Sequence, residues 1–265
     1  MIGAVIGDIV GSRFEWHNHR SKDFEFFTEK CFFTDDSVMT IAVADAIMKA
    51  DGDLSVLSDY AVKSMREIGQ PYRDCGYGGS FFRWMYSDDP KPYNSFGNGS
   101  AMRVSACGFV AKSIEEAKAL SKAVTEVTHN HPEGIKGAEA TTVAIFLAKT
   151  GHSLEEIREH INANYYPMDF TLDEIRDTYE FNETCQNTVP QALKAFFEST
   201  DFEDAIRNAI SIGGDSDTLA AITGGIAEAY YGIPDEIKAN VPQYFKDSPE
   251  LMDVVNAFYA KYMRI

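Results

Sequence analysis

Residues 213–223 read Gly-Gly-Asp-Ser-Asp-Thr-Leu-Ala-Ala-Ile-Thr, and residues 34–44 read Thr-Asp-Asp-Ser-Val-Met-Thr-Ile-Ala-Val-Ala. Both stretches place aspartates and hydroxyl side chains immediately before an apolar, helix-like run. Asp, Ser and Thr are preferred at helix N-termini, where they bond free backbone N–H groups. The two stretches therefore predict two helices that each begin with a cluster of oxygen atoms.

Helix signals recur along the rest of the chain, whereas strand signals are nearly absent. Capping boxes, in which a hydroxyl is followed three residues later by Glu, occur at 113–116, 153–156 and 171–174. Further helices are expected to begin at Pro132, Asp201 and Pro249. The sequence therefore predicts a compact, mainly α domain, with long loops at 16–30 and 86–99.

Small residues predict close contact between helices. Gly3, Gly7 and Gly11 recur every four residues, and the helix expected after residue 218 carries Gly224 and Gly225. Helices with such faces can approach each other closely. Because the chain contains no long linker and no low-complexity tract, we assign residues 1–265 to one domain.

Composition narrows the possible functions. The chain has 265 residues, of which 45% are hydrophobic, and its net charge is −17. Such an acidic protein is a poor partner for nucleic acid, unless the nucleic acid is itself a modified substrate. The N-terminus lacks the basic region of a signal peptide, and no stretch resembles a membrane span. Its four cysteines have no CxxC spacing, so we expect free thiols and a cytoplasmic location.

The two acidic stretches have two possible roles. They could be ordinary helix caps that complement the helix dipole. However, the adjacent carboxylates of Asp35 and Asp36 repel each other unless something neutralises them. If these residues meet Asp215 and Asp217 in space, their oxygens suit Mg²⁺ or Mn²⁺, as one ion or as a pair. We favour the metal site, which would make the chain a metallohydrolase.

Residues 95–103 read Ser-Phe-Gly-Asn-Gly-Ser-Ala-Met-Arg and predict a glycine-rich turn before a helix that continues through Val110. Backbone N–H groups exposed at such a turn suit a diphosphate, and Phe96 offers a face for an aromatic base. The stretch matches neither the P-loop nor the dinucleotide GxGxxG pattern.

Sequence spacing alone does not assign a role to Glu15 or to His129. Glu15 is most simply a surface acid near a helix end. His129 and His131 have HxH spacing, but no cysteine or third histidine accompanies them to complete a zinc site. Helix capping by this segment and a hydrogen bond from His129 to a ligand both remain open.

Taken in order, five motifs resemble those of the ADP-ribosylglycohydrolase family. They are residues 7–15, 33–37, 95–103, 128–129 and 213–218. The resemblance implies an all-α orthogonal helical bundle with a cleft that holds two divalent ions, Mg²⁺ or Mn²⁺. Carried over position by position, it implies the metal ligands Glu15, Thr34, Asp35, Asp36, Asp215, Asp217 and Thr218. Ser37 and Ser216 stand where threonine is common in the family, and we do not expect Ser216 to be a ligand.

The same resemblance implies a ligand-binding set. It consists of Ser95, Phe96, Gly97, Asn98, Gly99 and Ser100 along the diphosphate of ADP-ribose, and of His129. Phe96 would lie near the adenosine. Proton transfer would fall to Glu15, Asp35 and Asp36, in a division that the sequence leaves open.

The function implied is metal-dependent cleavage of the bond between the distal ribose of ADP-ribose and an acceptor side chain. The reaction would reverse mono-ADP-ribosylation of a protein or release a small ADP-ribose conjugate. Two alternatives remain open: a hydrolase of a small derivative such as an O-acetyl ester, and a non-catalytic ADP-ribose-binding protein. The acceptor would be selected by the loops at 16–30 and 86–94.

Overall fold

Helices dominate the computed structural model, which describes residues 1–263. It contains α1 Ile2–Gly11, α2 Asp35–Ala50, α3 Leu54–Gly69, α4 Gly79–Met85, α5 Gly99–Met102, α6 Ser105–Val110, α7 Ile114–Thr125, α8 Pro132–Lys149, α9 Leu154–Asn164, α10 Leu172–Ile175, α11 Cys185–Phe197, α12 Phe202–Ile210, α13 Ser216–Tyr231, α14 Asp235–Lys238 and α15 Pro249–Tyr262. Three 3₁₀ turns connect them at Ser12–Phe14, Gln70–Tyr72 and Val241–Phe245. The prediction of an all-α fold is confirmed.

The centre of the fold is α13, in which every residue from Ser216 to Glu228 is buried. It packs against α1, α8, α11 and α12. Its contact with α1 is so close that a Cβ added to Gly7 would lie 2.0 Å from the carbonyl oxygen of Ala220, and one added to Gly3 2.3 Å from that of Gly224. The close helix contact expected from the glycine spacing is therefore present.

This contact places the end of one helix beside the start of another. A Cβ added to Gly11, the last residue of α1, would lie 2.6 Å from the Cα of Asp217 in the first turn of α13. The segment that follows α1 therefore begins beside the second acidic stretch. The position of Glu15, four residues after Gly11, follows from this packing.

Most predicted helix starts are confirmed. Thr34 caps α2, and α8 and α15 begin at Pro132 and Pro249. The capping boxes at 153–156 and 171–174 are complete. The third is half formed, because Glu116 accepts from the N–H of Lys112 rather than from that of Ser113.

One expected helix is divided. The run predicted to follow the glycine-rich turn forms two short helices, α5 and α6, with a break at Arg103 and Val104. The bend accompanies the burial of the Arg103 side chain, whose guanidinium donates to the carbonyl oxygen of Val124 inside the core.

The loop predicted at 16–30 contains no α-helix, and the loop predicted at 86–99 contains none before Gly99, the first residue of α5. A further loop at 176–184 was not anticipated. All four cysteines are free. No helix within residues 1–263 combines the length and apolarity needed to cross a membrane. The assignment of the whole chain to one domain stays a prediction, and residues 264–265 lie outside the described part.

Candidate functional site

The two acidic stretches meet at the N-termini of α2 and α13. The hydroxyl of Thr218 donates to Oδ2 of Asp36 at 3.2 Å. One carboxylate oxygen from each of Glu15, Asp215 and Asp217 lies within 4.8 Å of the others. Stretches that are 180 residues apart in sequence thus form one acidic centre, with Glu15 as a third contributor.

The first stretch is held by a buried carboxylate from α1. Asp8 accepts hydrogen bonds from the N–H of Thr34 at 2.9 Å, its hydroxyl at 2.7 Å and the N–H of Ser37 at 3.0 Å, and also from the Ser37 hydroxyl. Burial raises the pKa of Asp8 to about 6, although these hydrogen bonds oppose the rise. Asp8 therefore sets the turn from which Asp35 and Asp36 project.

A glycine makes room for the Asp35 carboxylate. Gly76 has a φ of +107°, and a Cβ added there would lie 2.8 Å from Oδ1 of Asp35. The neighbouring Cys75 carbonyl accepts a 2.7 Å hydrogen bond from the N–H of Asp35. The segment before α4 therefore forms one wall of the acidic centre.

The second stretch is held by its backbone. Gly213 and Gly214 have φ values of +71° and +77°, which favour glycine. Asn18 accepts from the N–H of Gly214 at 2.8 Å and donates to its carbonyl at 2.8 Å and to that of Glu15 at 3.0 Å. One side chain thus ties the Glu15 segment to the glycine turn. Asp215 accepts a 2.6 Å hydrogen bond from the amide of Asn98.

Crowding of carboxylates dominates the electrostatics. Burial, followed by the charges of Asp217 and Asp8, raises the pKa of Glu15 to about 8. Burial and neighbouring carboxylates also raise the pKa of Asp36 and that of Asp217 well above the ordinary range. Among residues 1–263, no lysine or arginine forms an ion pair with the acidic centre. Such a group requires cations or protons to offset its charge.

The donor chemistry fits a divalent cation. Carboxylate and hydroxyl oxygens are the ligands that Mg²⁺ and Mn²⁺ prefer. Oδ1 of Asp36 is buried and has no hydrogen-bond partner within the described residues, as expected for an oxygen whose partner is a metal ion. The hydroxyl of Ser216, which we did not expect to be a ligand, donates to the carbonyl of Gly214 at 3.3 Å.

The acidic centre forms one end of a cleft of about 280 Å³. Several of the expected ligand-binding residues line it: Ser95, Gly97, Asn98, Gly99 and His129. Aromatic walls come from Phe81, Tyr93 and Phe181. Phe96 is 42% exposed and packs against the His131 ring, outside this lining. Ser100 is buried beneath the cleft and donates to the carbonyl of Gly134 at 2.9 Å.

The glycine-rich turn differs from the expected cradle of free N–H groups. The N–H of Gly97 donates to Oγ of Ser95, that of Asn98 to the Glu183 carbonyl, and that of Ser100 to the Gly97 carbonyl. The Asn98 N–H is occupied because residues 96–98 pair with residues 183–185 from the unanticipated loop, whereas the N–H groups of Gly97 and Ser100 are occupied within the turn itself. The amide of Asn98 is likewise engaged by Asp215. The polar ligand groups that remain on this wall are mainly side chains.

His129 lies beside this turn and is almost fully buried. Burial, and then the positive charge of Arg103, lowers its pKa well below the ordinary value of histidine. Its ring is therefore neutral near pH 7. A Cβ added to Gly99 would lie 3.4 Å from Nε2 of His129, so the ring edge faces the glycines of the cleft.

Comparison with known proteins agrees with this architecture. The model of the ADP-ribosylglycohydrolase family matches residues 1–264. The chain belongs to the ADP-ribosylglycohydrolase family. It is thereby a hydrolase of the glycoside-cleaving type, and the recognition made from the five motifs is confirmed.

Relatives of the family align over most of the chain. The chain is 24% identical to the mouse ADP-ribosylhydrolase ARH3 over 326 residues, which covers 94% of this chain and 86% of that protein. It is 25% identical to the ADP-ribosylarginine hydrolase Tri1 of Pseudomonas putida (strain GB-1), over 88% of this chain and 70% of that protein. A solved ADP-ribosylglycohydrolase-related protein complex superimposes with a TM-score of 0.70 at 22% identity, covering 98% of this chain and 95% of that chain, and it has the same fold.

A second pocket, of about 880 Å³, adjoins the acidic centre of this family member. Glu15 and Gly76 line both this pocket and the cleft, and Thr34 lines this pocket. Its lining includes Trp16 and Phe32, which are 71% and 52% exposed. Large apolar side chains at such exposure commonly mark a binding surface.

The sequence motifs did not identify several residues of the site. Asp8 lay within the first motif, but its hydrogen bonds to residues 34–37 depend on the packing of α1 against α2. Asn18 and Phe181 lie in loops whose course the sequence does not show. The only available signals were the Gly-Asp pair at 7–8 and the aromatic content of the loops.

Proposed function

We propose that the chain is a metal-dependent ADP-ribosyl hydrolase that cleaves the bond between C1 of the distal ribose and an acceptor side chain. The observation that carries this proposal is the meeting of both acidic stretches and Glu15 at one end of a cleft. Family membership and the names of the mouse and Pseudomonas relatives support the substrate class. We also place the protein in the cytoplasm, because its free cysteines suit a reducing compartment.

The acidic centre is the proposed site for two divalent ions, Mg²⁺ or Mn²⁺. The ligands proposed are Glu15, Thr34, Asp35, Asp36, Asp215, Asp217 and Thr218. A bound pair supplies Lewis acidity, which lowers the pKa of water and offsets charge that develops during glycosidic cleavage. The protein itself contributes the fixed geometry, through Asp8 on one side and Asn18 and Asn98 on the other.

Glu15, Asp35 and Asp36 are the proposed proton-transfer groups. Glycosidic cleavage develops positive charge on the sugar ring, and a general acid assists the leaving group. Glu15 lines both the cleft and the second pocket, so it borders both halves of a substrate that spans them. Asp35 and Asp36 line the cleft but are not part of the lining of the second pocket. This arrangement favours Glu15 for protonation of the departing acceptor.

The cleft is the proposed site for ADP-ribose. Ser95, Gly97, Asn98, Gly99 and His129 would lie along the diphosphate, with Phe96 and Ser100 as further members of the set proposed from the sequence. Phe181 lines the cleft and stacks on Trp16 at 5.0 Å, which gives the adenine a second aromatic surface. Replacement of Phe181 by Ala should therefore weaken ADP-ribose binding more than replacement of Phe96 by Ala.

The second pocket is the proposed site for the acceptor. It borders the cleft at Glu15, where the scissile bond would lie. Its lining includes the basic side chains of Arg73 and Lys246 and the acidic side chains of Glu29 and Asp74. A pocket of this size accommodates part of a modified protein as well as a small conjugate. Because one relative is an ADP-ribosylarginine hydrolase, arginine-linked ADP-ribose is the first acceptor to test.

One assay tests the proposal. The protein is incubated with ADP-ribose linked to arginine, serine, nucleic acid or an acetyl group, with Mg²⁺ or Mn²⁺ and with excess chelator, and the products are identified. Free ADP-ribose that forms only with metal is the expected result. Release of AMP would indicate diphosphate cleavage instead, release from the acetyl ester alone would indicate an esterase, and binding without turnover would indicate a reader of ADP-ribose.

A further inference from the structure

Arg103 is a buried arginine that has no carboxylate partner among residues 1–263. Only 1% of its surface is exposed, and its Nη2 donates to Oγ1 of Thr128 at 2.7 Å and to the carbonyl of Val124 at 3.2 Å. A guanidinium can donate hydrogen bonds but cannot accept them. The oxygen of Thr128 is therefore the acceptor in this contact, and the Thr128 proton is free to point elsewhere.

The Thr128 hydroxyl has two possible acceptors. Nδ1 of His129 lies 2.7 Å from Oγ1, whereas the carbonyl oxygen of Thr125 lies 3.4 Å away. The shorter contact has the ordinary length of a strong hydrogen bond, and the longer one is near the limit. On the basis of these distances, we assign the Thr128 proton to Nδ1 of His129. In a neutral imidazole whose Nδ1 accepts, the ring proton lies on Nε2.

The Nε2 edge of His129 faces the ligand cleft. Ideal Cβ atoms built on Gly97 and Gly99 would lie 3.5 and 3.4 Å from Nε2, so the missing side chains leave that edge uncovered. His129 lines the cleft together with these glycines. A proton on Nε2 therefore points toward the ligand rather than into the core.

We propose that Arg103 and Thr128 are positioning residues that hold His129 with its proton on Nε2, so that the ring donates a hydrogen bond to an anionic oxygen of the bound ligand. This inference rests on the proposed function for the anionic ligand, but not for the tautomer. The neighbouring guanidinium and the burial of the ring also keep His129 neutral, so only one of its nitrogens can donate. The tautomer thus decides whether His129 donates to the ligand or accepts from it.

Nitrogen NMR of the protein labelled at histidine reports the tautomer directly, before any ligand is added. The wild-type protein should show protonated Nε2 and unprotonated Nδ1 for His129, assigned through the H129Q variant. Thr128→Val removes the hydroxyl and should abolish this preference, whereas Thr128→Ser should retain it. Thr125→Val is the matched control, because the buried Thr125 hydroxyl has no hydrogen-bond partner in the part of the chain that the structure describes.

Calorimetric titration with ADP-ribose, in buffer containing Mg²⁺, measures the consequence for binding. Thr128→Val should weaken binding roughly tenfold, the loss expected for one hydrogen bond to a charged group. Thr128→Ser and Thr125→Val should bind within about twofold of the wild-type protein. Because these variants keep Arg103, the test does not depend on replacing a buried arginine.

Protonated Nδ1 in the wild-type protein would overturn the proposal. So would a Thr128→Val variant whose NMR spectrum and affinity match those of the wild type. If the wild-type protein has the expected tautomer but does not bind ADP-ribose, the proposed function fails while the positioning of His129 stands. The two failures are therefore distinguishable.

Discussion

The two acidic stretches consist of the same residue types and begin helices of the same length, yet the protein holds them by different means. In the first, Thr34 caps α2 and four hydrogen bonds to Asp8 define the turn. In the second, Asp215 forms no cap with its side chain, and two left-handed glycines form the turn. A buried side chain thus shapes one half of the site, and the backbone shapes the other.

The difference shows that two stretches with similar residue types can be held in place by different kinds of contact. The first half depends on α1, whose Asp8 lies 26 residues before Thr34. The second half depends on the loop at 16–30, through Asn18. Substitutions of the buried support Asp8 and of the turn residue Gly214 should therefore act mainly on stability, whereas those in the proposed ligands should act mainly on turnover.

The largest effect is expected at a proposed ligand. Asp217→Ala should reduce turnover by roughly 10³-fold or more, because a metal site supplies several kcal/mol of transition-state stabilisation. Its melting temperature in metal-free buffer should not fall, since the substitution removes one of several crowded carboxylates. Steady-state kinetics and thermal melting measure the two quantities. Asp253→Ala, on the exposed face of α15, is the matched control.

Mg²⁺ or Mn²⁺ should raise the melting temperature of the wild-type protein and of the Asp253→Ala control. The rise should be much smaller for Asp217→Ala. Full activity of Asp217→Ala, or of the wild-type protein in excess chelator, would contradict the metal site.

A supporting carboxylate should show the reverse pattern. Asp8→Ala leaves four buried donors without their acceptor, which should lower the free energy of unfolding by about 3 kcal/mol. Urea denaturation in metal-free buffer measures this loss. If Asp8→Ala is as stable as the wild-type protein while Asp217→Ala is destabilised, the proposed division between support and chemistry is wrong.

The backbone support of the second half is tested at a glycine. Gly214→Ala combines an unfavourable φ of +77° with a Cβ only 2.3 Å from the ring of Tyr179, so it should cost about 2 kcal/mol of stability. Gly151→Ala, at a φ of +85° and with no atom of residues 1–263 within 4 Å of the added Cβ, is the control for backbone strain. The difference between their unfolding free energies measures the contact with Tyr179. Equal values would show that the contact is relieved at no cost.

The smallest effect is expected at the link between the halves. Asn18→Ala removes the hydrogen bonds that join Gly214 to the Glu15 segment, which should cost about 1 kcal/mol because Asn18 is exposed. The fractional loss of turnover should exceed the fractional loss of unfolding free energy, because the Glu15 carbonyl loses its hydrogen bond from Asn18. Asn164→Ala, which removes an exposed amide bonded to the His160 carbonyl, is the control. Unchanged turnover in Asn18→Ala would remove Asn18 from the support of the site.

Local signals in the sequence were sufficient for the helix starts. Thr34, Ser153 and Thr171 accept from N–H groups in the first turn of their own helices, and Pro249 is the first residue of α15. These helix starts can therefore be predicted from neighbouring residues. The break at Arg103 could not be read in this way. It depends on Val124 and Thr128, which lie on another element.

The sequence by itself determined the helical class, the family and the oxygen chemistry of the acidic stretches, because these follow from residue types and short spacings. Only the tertiary structure decided that Asp8 is a support, that the N–H groups of residues 97–98 are already occupied, and that Glu15 borders two pockets. Each of these depends on contacts between distant segments, above all on the glycine-lined packing of α1 against α13. That packing brings residues 200 positions apart within hydrogen-bonding range, and no local pattern reports such a distance.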